Sequence, residues 1–103
     1  MSARKRSVVL TRRAQEDYRQ ILQYSVQTWG EEQQIAYNAA LVKALTIIGD
    51  NPSIGRARAD LPPGYRALPV EQHVIIYHVT TRAVSVLRIL HSRMDVQQAL
   101  RRR

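Results

Sequence analysis

Three histidines, His73, His78 and His91, are the side chains of this 103-residue sequence whose ordinary titration falls near neutral pH. Each is a candidate general base or metal ligand. His73 and His78 lie five positions apart in a strand-like run, so they point to opposite faces and cannot share a metal ion. His78, between Tyr77 and Val79, reads as a core histidine. His91 ends an apolar run beside Arg93 and is the better functional candidate. There is no cysteine, which removes thiolate nucleophiles, thiolate metal sites and disulfides. No His-Glu-x-x-His pair, glycine-rich phosphate loop or paired-carboxylate motif is present. No metal or cofactor is expected.

Arginine is the other residue type suited to chemistry. It outnumbers lysine 14 to 2 and matches flat anions such as carboxylate and phosphate. Cleavage of RNA by its own 2′-hydroxyl needs a base, a cation at the phosphate and an acid. Arg66 and Arg88 can supply the positive groups. No clear base or acid stands near them in the sequence unless Tyr77 or His73 serves.

These side chains must be held by the elements around them. Ser7-Val8-Val9-Leu10 reads as a short strand. Thr11 caps a helix starting at Arg12, with Ala14, Tyr18, Ile21, Leu22, Ser25 and Trp29 at helical spacing. Glu16 and Asp17 fall in its first turns, where the helix dipole favours acids. Gly30 breaks the pattern. A second helix runs from about residue 31 to 50 with the stripe Ile35, Leu41, Val42, Leu45 and Ile48, and Tyr37 beside it. Asn51-Pro52 ends it. A loop over 53–64 leads to three strand-like runs, 65–70, 73–80 and 84–91. Residues 95–100 form a closing helical turn. The short connections imply an antiparallel meander, and the order β-α-α-β-β-β is an α+β domain: an antiparallel sheet packed on a helical hairpin. Pro69 cannot donate to a ladder, which places its strand at an edge.

The length fits one domain over residues 1–103, and the 45% apolar content supplies one core. The net charge of +8 is concentrated in basic tails, 1–6 and 101–103. Residues 7–100 carry ten basic and eight acidic side chains, a net of +2. That charge allows a nucleic-acid partner without demanding one, and it weakens the reading as a plain nucleic-acid-binding module. No apolar run approaches a membrane span and no secretory h-region is visible, so a cytoplasmic protein is expected.

The turn lengths suggest a register. A two-residue turn pairs Leu68 with Ile75 and Arg66 with Tyr77, and a four-residue turn pairs Tyr77 with Val86 and Ile75 with Arg88. One face then holds Arg66, Leu68, His73, Ile75, Tyr77, Val86 and Arg88. The other holds Val74, Ile76, His78, Leu87, Ile89 and His91. Both faces are apolar, and a hairpin covers only one. The face studded with Arg66 and Arg88 is expected to be open, for a partner carrying Asp or Glu to cover.

Several motifs together resemble ParE toxins of bacterial toxin–antitoxin pairs. They are Leu10-Thr11-Arg12-Arg13-Ala14-Gln15-Glu16-Asp17-Tyr18 with Ile21, Tyr24 and Trp29-Gly30; Asn51-Pro52-Ser53-Ile54-Gly55; Gly64-Tyr65-Arg66; His73-Val74-Ile75-Ile76-Tyr77; and Arg88 through Asp95. The resemblance covers about residues 7–98 and implies the RelE/ParE fold. It implies a type II toxin that inhibits DNA gyrase and is neutralised by a cognate ParD-like antitoxin in a hetero-oligomer. The RelE branch of the same fold implies the alternative, a ribosome-dependent messenger RNA endonuclease using Arg66, Arg88 and His91. On that pattern Arg56 and Arg58 stand for the loop basic residues and Arg66 and Arg88 for the sheet arginines. The C-terminal tyrosine is missing, and His91-Ser92-Arg93-Met94 follows instead, which favours the ParE branch. Contacts to the target or antitoxin are expected from Arg56, Arg58, Arg66, Leu68, His73, Ile75, Tyr77, Val86, Arg88, His91 and Arg93.

Overall fold

The computed structural model describes residues 6–101. The elements are β1 (Ser7–Leu10), α1 (Arg12–Trp29), α2 (Glu31–Asp50), a 3₁₀ turn (Pro52–Ile54), β2 (Tyr65–Val70), β3 (His73–Val79), β4 (Ala83–His91) and α3 (Val96–Arg101). The expected order and most boundaries are reproduced. One four-stranded sheet runs β1-β4-β3-β2. The β2–β3–β4 meander is antiparallel as expected, but β1 lies parallel to β4, so the sheet is mixed. β2 is an edge strand, and Pro69 sits there exposed.

Thr11 starts α1 with its side chain accepting from the Ala14 N–H at 3.1 Å. The same residue takes over from β1 on the edge of β4. Its N–H donates to Val86 O at 3.0 Å and its hydroxyl to Leu87 O at 2.8 Å. Gly30, at φ +94°, separates α1 from α2 in a backbone region that favours glycine. The Tyr18 hydroxyl then ties the hairpin together through Asn38 Oδ1.

The α2 stripe differs from the expected one. Tyr37, Leu41, Ala44 and Ile48 are buried, while Ile35 and Val42 are exposed. α2 carries apolar residues around much of its circumference, so hydrophobicity alone does not single out the face that packs.

The register matches expectation near both turns. Leu68 pairs with Ile75, Arg66 with Tyr77, and Tyr77 with Val86. Between Ile76 and Tyr77 the β3–β4 ladder shifts: Ile76 pairs with Arg88, Ile75 with Ile89, and His73 with His91. Leu87 is the extra residue of a β-bulge, and alternation resets beyond it. The expected Ile75–Arg88 pairing is therefore corrected. Ile89 and His91 move to the face of Ile75 and His73, and Arg88 moves to that of Ile76.

The expected open face is also corrected. Ile75, Tyr77 and Val86 are fully buried against the α1–α2 hairpin, with Leu68 packed partly buried beside them. The opposite face, Ala67, Val74, Ile76 and Leu90, is covered by Leu61 and by Val96 and Ala99 around α3. Arg6, which the sequence places in the basic N-terminal tail, is anchored to α2. Its N–H donates to Gly49 O at 2.9 Å and its Nε is buried. Arg101 ends α3. The remaining tail residues, Arg4, Lys5, Arg102 and Arg103, lie outside the described residues.

Candidate functional site

The expected site residues separate into three places. Ile75 and Val86 are core, and Leu68 packs against that core. A second group, with Tyr77 and Arg66, holds the loop after α2. The Tyr77 hydroxyl donates to Pro52 O at 2.7 Å and accepts from Gly55 N–H at 2.8 Å. Arg66 Nη1 donates to Gly55 O at 2.7 Å. Burial pushes the Tyr77 phenol up from its ordinary pKa, with the Gly55 N–H and the Arg66 charge acting against it. Tyr77 and Arg66 are thus latches on the loop. On the same loop, Arg56 exchanges two backbone bonds of 2.9 Å with Ala67 and leaves its side chain exposed. Arg58 pairs with Asp60 at 2.6 Å.

The third group surrounds a cavity of about 350 Å³ at the other end of the sheet, where α1 and α2 meet the β2–β3 turn and the end of β4. His73 and His91, on opposite sequence-predicted faces, are brought together by the bulge. Their ring centroids are 5.4 Å apart, edge to face. The Tyr37 hydroxyl is 2.5 Å from His73 Nδ1. Gln72 N–H donates to that hydroxyl at 3.2 Å. With Gln72 donating to that oxygen, we assign the Tyr37 proton to His73 Nδ1, which places the proton of neutral His73 on Nε2. Arg93 N–H donates to His91 Nδ1 at 3.1 Å and fixes the same tautomer there. Burial holds His73 below the ordinary histidine pKa. His91 adds to that effect, and Asp17 opposes it. Tyr37 is raised, chiefly by burial.

Arg88 also lines this cavity but is already engaged. Its Nε and Nη2 hold Asp17 in a bidentate pair at 2.7 and 3.0 Å, and Nη1 reaches Ala99 O at 3.3 Å. Asp17 therefore serves as the partner of a sheet arginine, a role its place near the helix start did not reveal. Tyr24 and Trp29 rim the cavity as an edge-to-face pair 5.6 Å apart, both more than half exposed. Ser25 lines it with a buried Oγ that has no hydrogen-bond partner among the described residues. Tyr37, Ser25 and Asp17 were readable only as helix positions, because a bulge and a cross-sheet ion pair leave no local sequence signal. His78 lies on the opposite face, stacked on Tyr65 at 4.9 Å. It is only partly buried, so it is not the core histidine expected. Among the described residues no three of His, Asp and Glu are grouped to hold a metal ion.

Residues 8–96 match the family described as the ParE toxin of the type II toxin–antitoxin system parDE. The chain belongs to the ParE toxin family. It is accordingly the toxin component of a type II toxin–antitoxin system. It is 36% identical over 91 residues to Toxin ParE1 of Caulobacter vibrioides, covering 88% of this chain and 94% of that protein. It is 37% identical over 93 residues to Toxin ParE1 of Mycobacterium tuberculosis, covering 89% of this chain and 95% of the other. The fold of this ParE toxin is similar to a chain of the chromosomal ParDE system from P. aeruginosa, with a TM-score of 0.72 at 24% identity over 84% of this chain and 96% of that one. It is also similar to the YoeB dimer structure from Staphylococcus aureus, with a TM-score of 0.52 at 17% identity over 85% and 98% of the two chains. No described helix of this ParE toxin is long and apolar enough to cross a membrane.

Proposed function

We propose that this ParE toxin acts by binding and blocking DNA gyrase, and that a ParD-like antitoxin binds it in a hetero-oligomer and neutralises it in the cytoplasm. The family match over residues 8–96 carries this reading. The engagement of both sheet arginines within the fold supports it, since Arg66 is bound to Gly55 O and Arg88 to Asp17. Arg88 has Nε, Nη1 and Nη2 all engaged internally, while Arg66 engages only Nη1. In the hairpin, Tyr24 and Trp29 give a partner exposed aromatic anchors beside a cavity. The test is a supercoiling reaction with purified gyrase, run beside a cleavage assay on ribosome-bound messenger RNA. Loss of supercoiling with intact RNA is expected.

One observation favours a second reading. The bulge brings His91 beside His73, and Arg88 lines the same cavity, so two groups able to act as base and acid share it with a cation. RNA cleavage with gyrase untouched would select this endonuclease alternative.

A further inference from the structure

A partner bearing acids was expected to meet Arg66 and Arg88, yet both have internal counterparts. Further unmet donors line the cavity. His73 and His91 each spend Nδ1 on a neighbour, Tyr37 and the Arg93 N–H respectively. No hydrogen bond engages Nε2 of either ring among the described residues. Both rings line the same cavity. Beside them stands Ser25 Oγ, buried and without a partner among the described residues. Ile21, Ile89, Leu90 and Met94 give the wall its apolar part, and Gln20, Gln72 and the Asp17–Arg88 pair complete its polar part.

We propose that this cavity receives an apolar side chain together with a carboxylate from the antitoxin, the carboxylate accepting from Nε2–H of His73 and His91. The inference rests on the antitoxin reading above for the identity of the occupant. Charge complementarity argues for an acid. The body is net basic, and Asp17, the one carboxylate lining the cavity among the described residues, is already neutralised by Arg88. A volume of about 350 Å³ holds one aromatic or long aliphatic group with a short acid beside it.

Proton linkage follows. The groups facing the pair are Asp17 from α1, Tyr37 from α2, Glu71 and Gln72 from the β2–β3 turn, and Arg88 and Arg93 around the end of β4. Burial and the neighbouring ring hold His73 below the ordinary histidine pKa. A carboxylate at Nε2 supplies the missing counter-charge, so binding takes up a proton and tightens as pH falls.

The test uses full-length toxin with labelled histidines, followed by NMR. The probes are 4-phenylbutyrate and the uncharged 4-phenylbutyramide. The acid should move the His73 and His91 ring signals and bind up to about tenfold more tightly per pH unit between pH 7.5 and 6, the limit for one proton. The amide should lose that dependence. His91→Gln and His73→Gln should each weaken the acid and spare the amide, the first keeping the Tyr37–His73 bond intact. Equal binding of acid and amide, or unmoved ring signals, would overturn the proposal. Cognate antitoxin that binds with the rings unmoved overturns the site and leaves the antitoxin reading standing. Antitoxin that does not bind, while the acid probe behaves as expected, overturns the named occupant along with that reading.

Discussion

Asp17 on α1 and Arg88 on β4, 71 positions apart, form a bidentate ion pair whose side chains are only 13% and 12% exposed. Asp17 Oδ2 also accepts from Ile89 N–H at 3.0 Å. Beyond Leu10, where β1 ends, Asp17 therefore satisfies the edge of β4 in place of a strand. Removing one member leaves a nearly buried charge without its partner. Asp17→Asn and Arg88→Met are each expected to cost about 3–5 kcal/mol, because the surviving ion stays desolvated. Urea unfolding of both single variants and of the double variant measures this, and the double should be less damaged than the two singles added.

The Tyr77 latch makes a second expectation. Tyr77→Phe keeps the ring in the core but orphans the Gly55 N–H and the Pro52 carbonyl. The expected loss is about 1–3 kcal/mol, the cost of buried unsatisfied groups. Gly55→Ala attacks the same place sterically, since a Cβ there would lie 2.5 Å from Tyr77 Oη. Both variants should show a lower denaturation midpoint.

Much of this fold was legible because local signals agreed with it. Thr11 as a cap, Gly30 as a break, Asn51-Pro52 as a stop and the short turns each have a local physical cause. The register followed from the turns only as far as Tyr77–Val86. Leu87 then bulges, and no residue type announces that. One inserted position exchanged the faces of Arg88 and His91, so the candidate site was read as an arginine-studded open face. The parallel partner of β1 was equally hidden, since pairing across 76 positions carries no spacing rule. Exposed Ile35 and Val42 show the other limit: a helix apolar on several sides does not name the side that packs.

His73 makes stability depend on pH. Its folded pKa is lowered, chiefly by burial and further by His91. The unfolded chain, with an ordinary histidine, therefore binds the proton first as pH falls. The stabilisation is fully present above the ordinary histidine pKa and is lost as pH drops through that value toward the lower folded one. The melting temperature of the free toxin should fall between pH 7.5 and 5. His73→Gln should flatten that decline, and calorimetric scans at several pH values will show whether it does.

Trp29 and Tyr24 offer the sharpest separation of binding from folding. The two rings pack against each other, yet Trp29 is 51% and Tyr24 59% exposed. Little core is lost if either is trimmed, so Trp29→Ala should change stability by no more than about 0.5 kcal/mol. Aromatic anchors at the mouth of a cavity are where binding energy concentrates, and the same substitution should cost about 2 kcal/mol or more in antitoxin affinity. Arg82→Ala, exposed in the β3–β4 turn at the far end of the sheet, should leave that affinity unchanged. Isothermal titration of the folded variants with antitoxin compares them directly. Equal affinity for Trp29→Ala and the parent would mean that the antitoxin seats away from the ring pair.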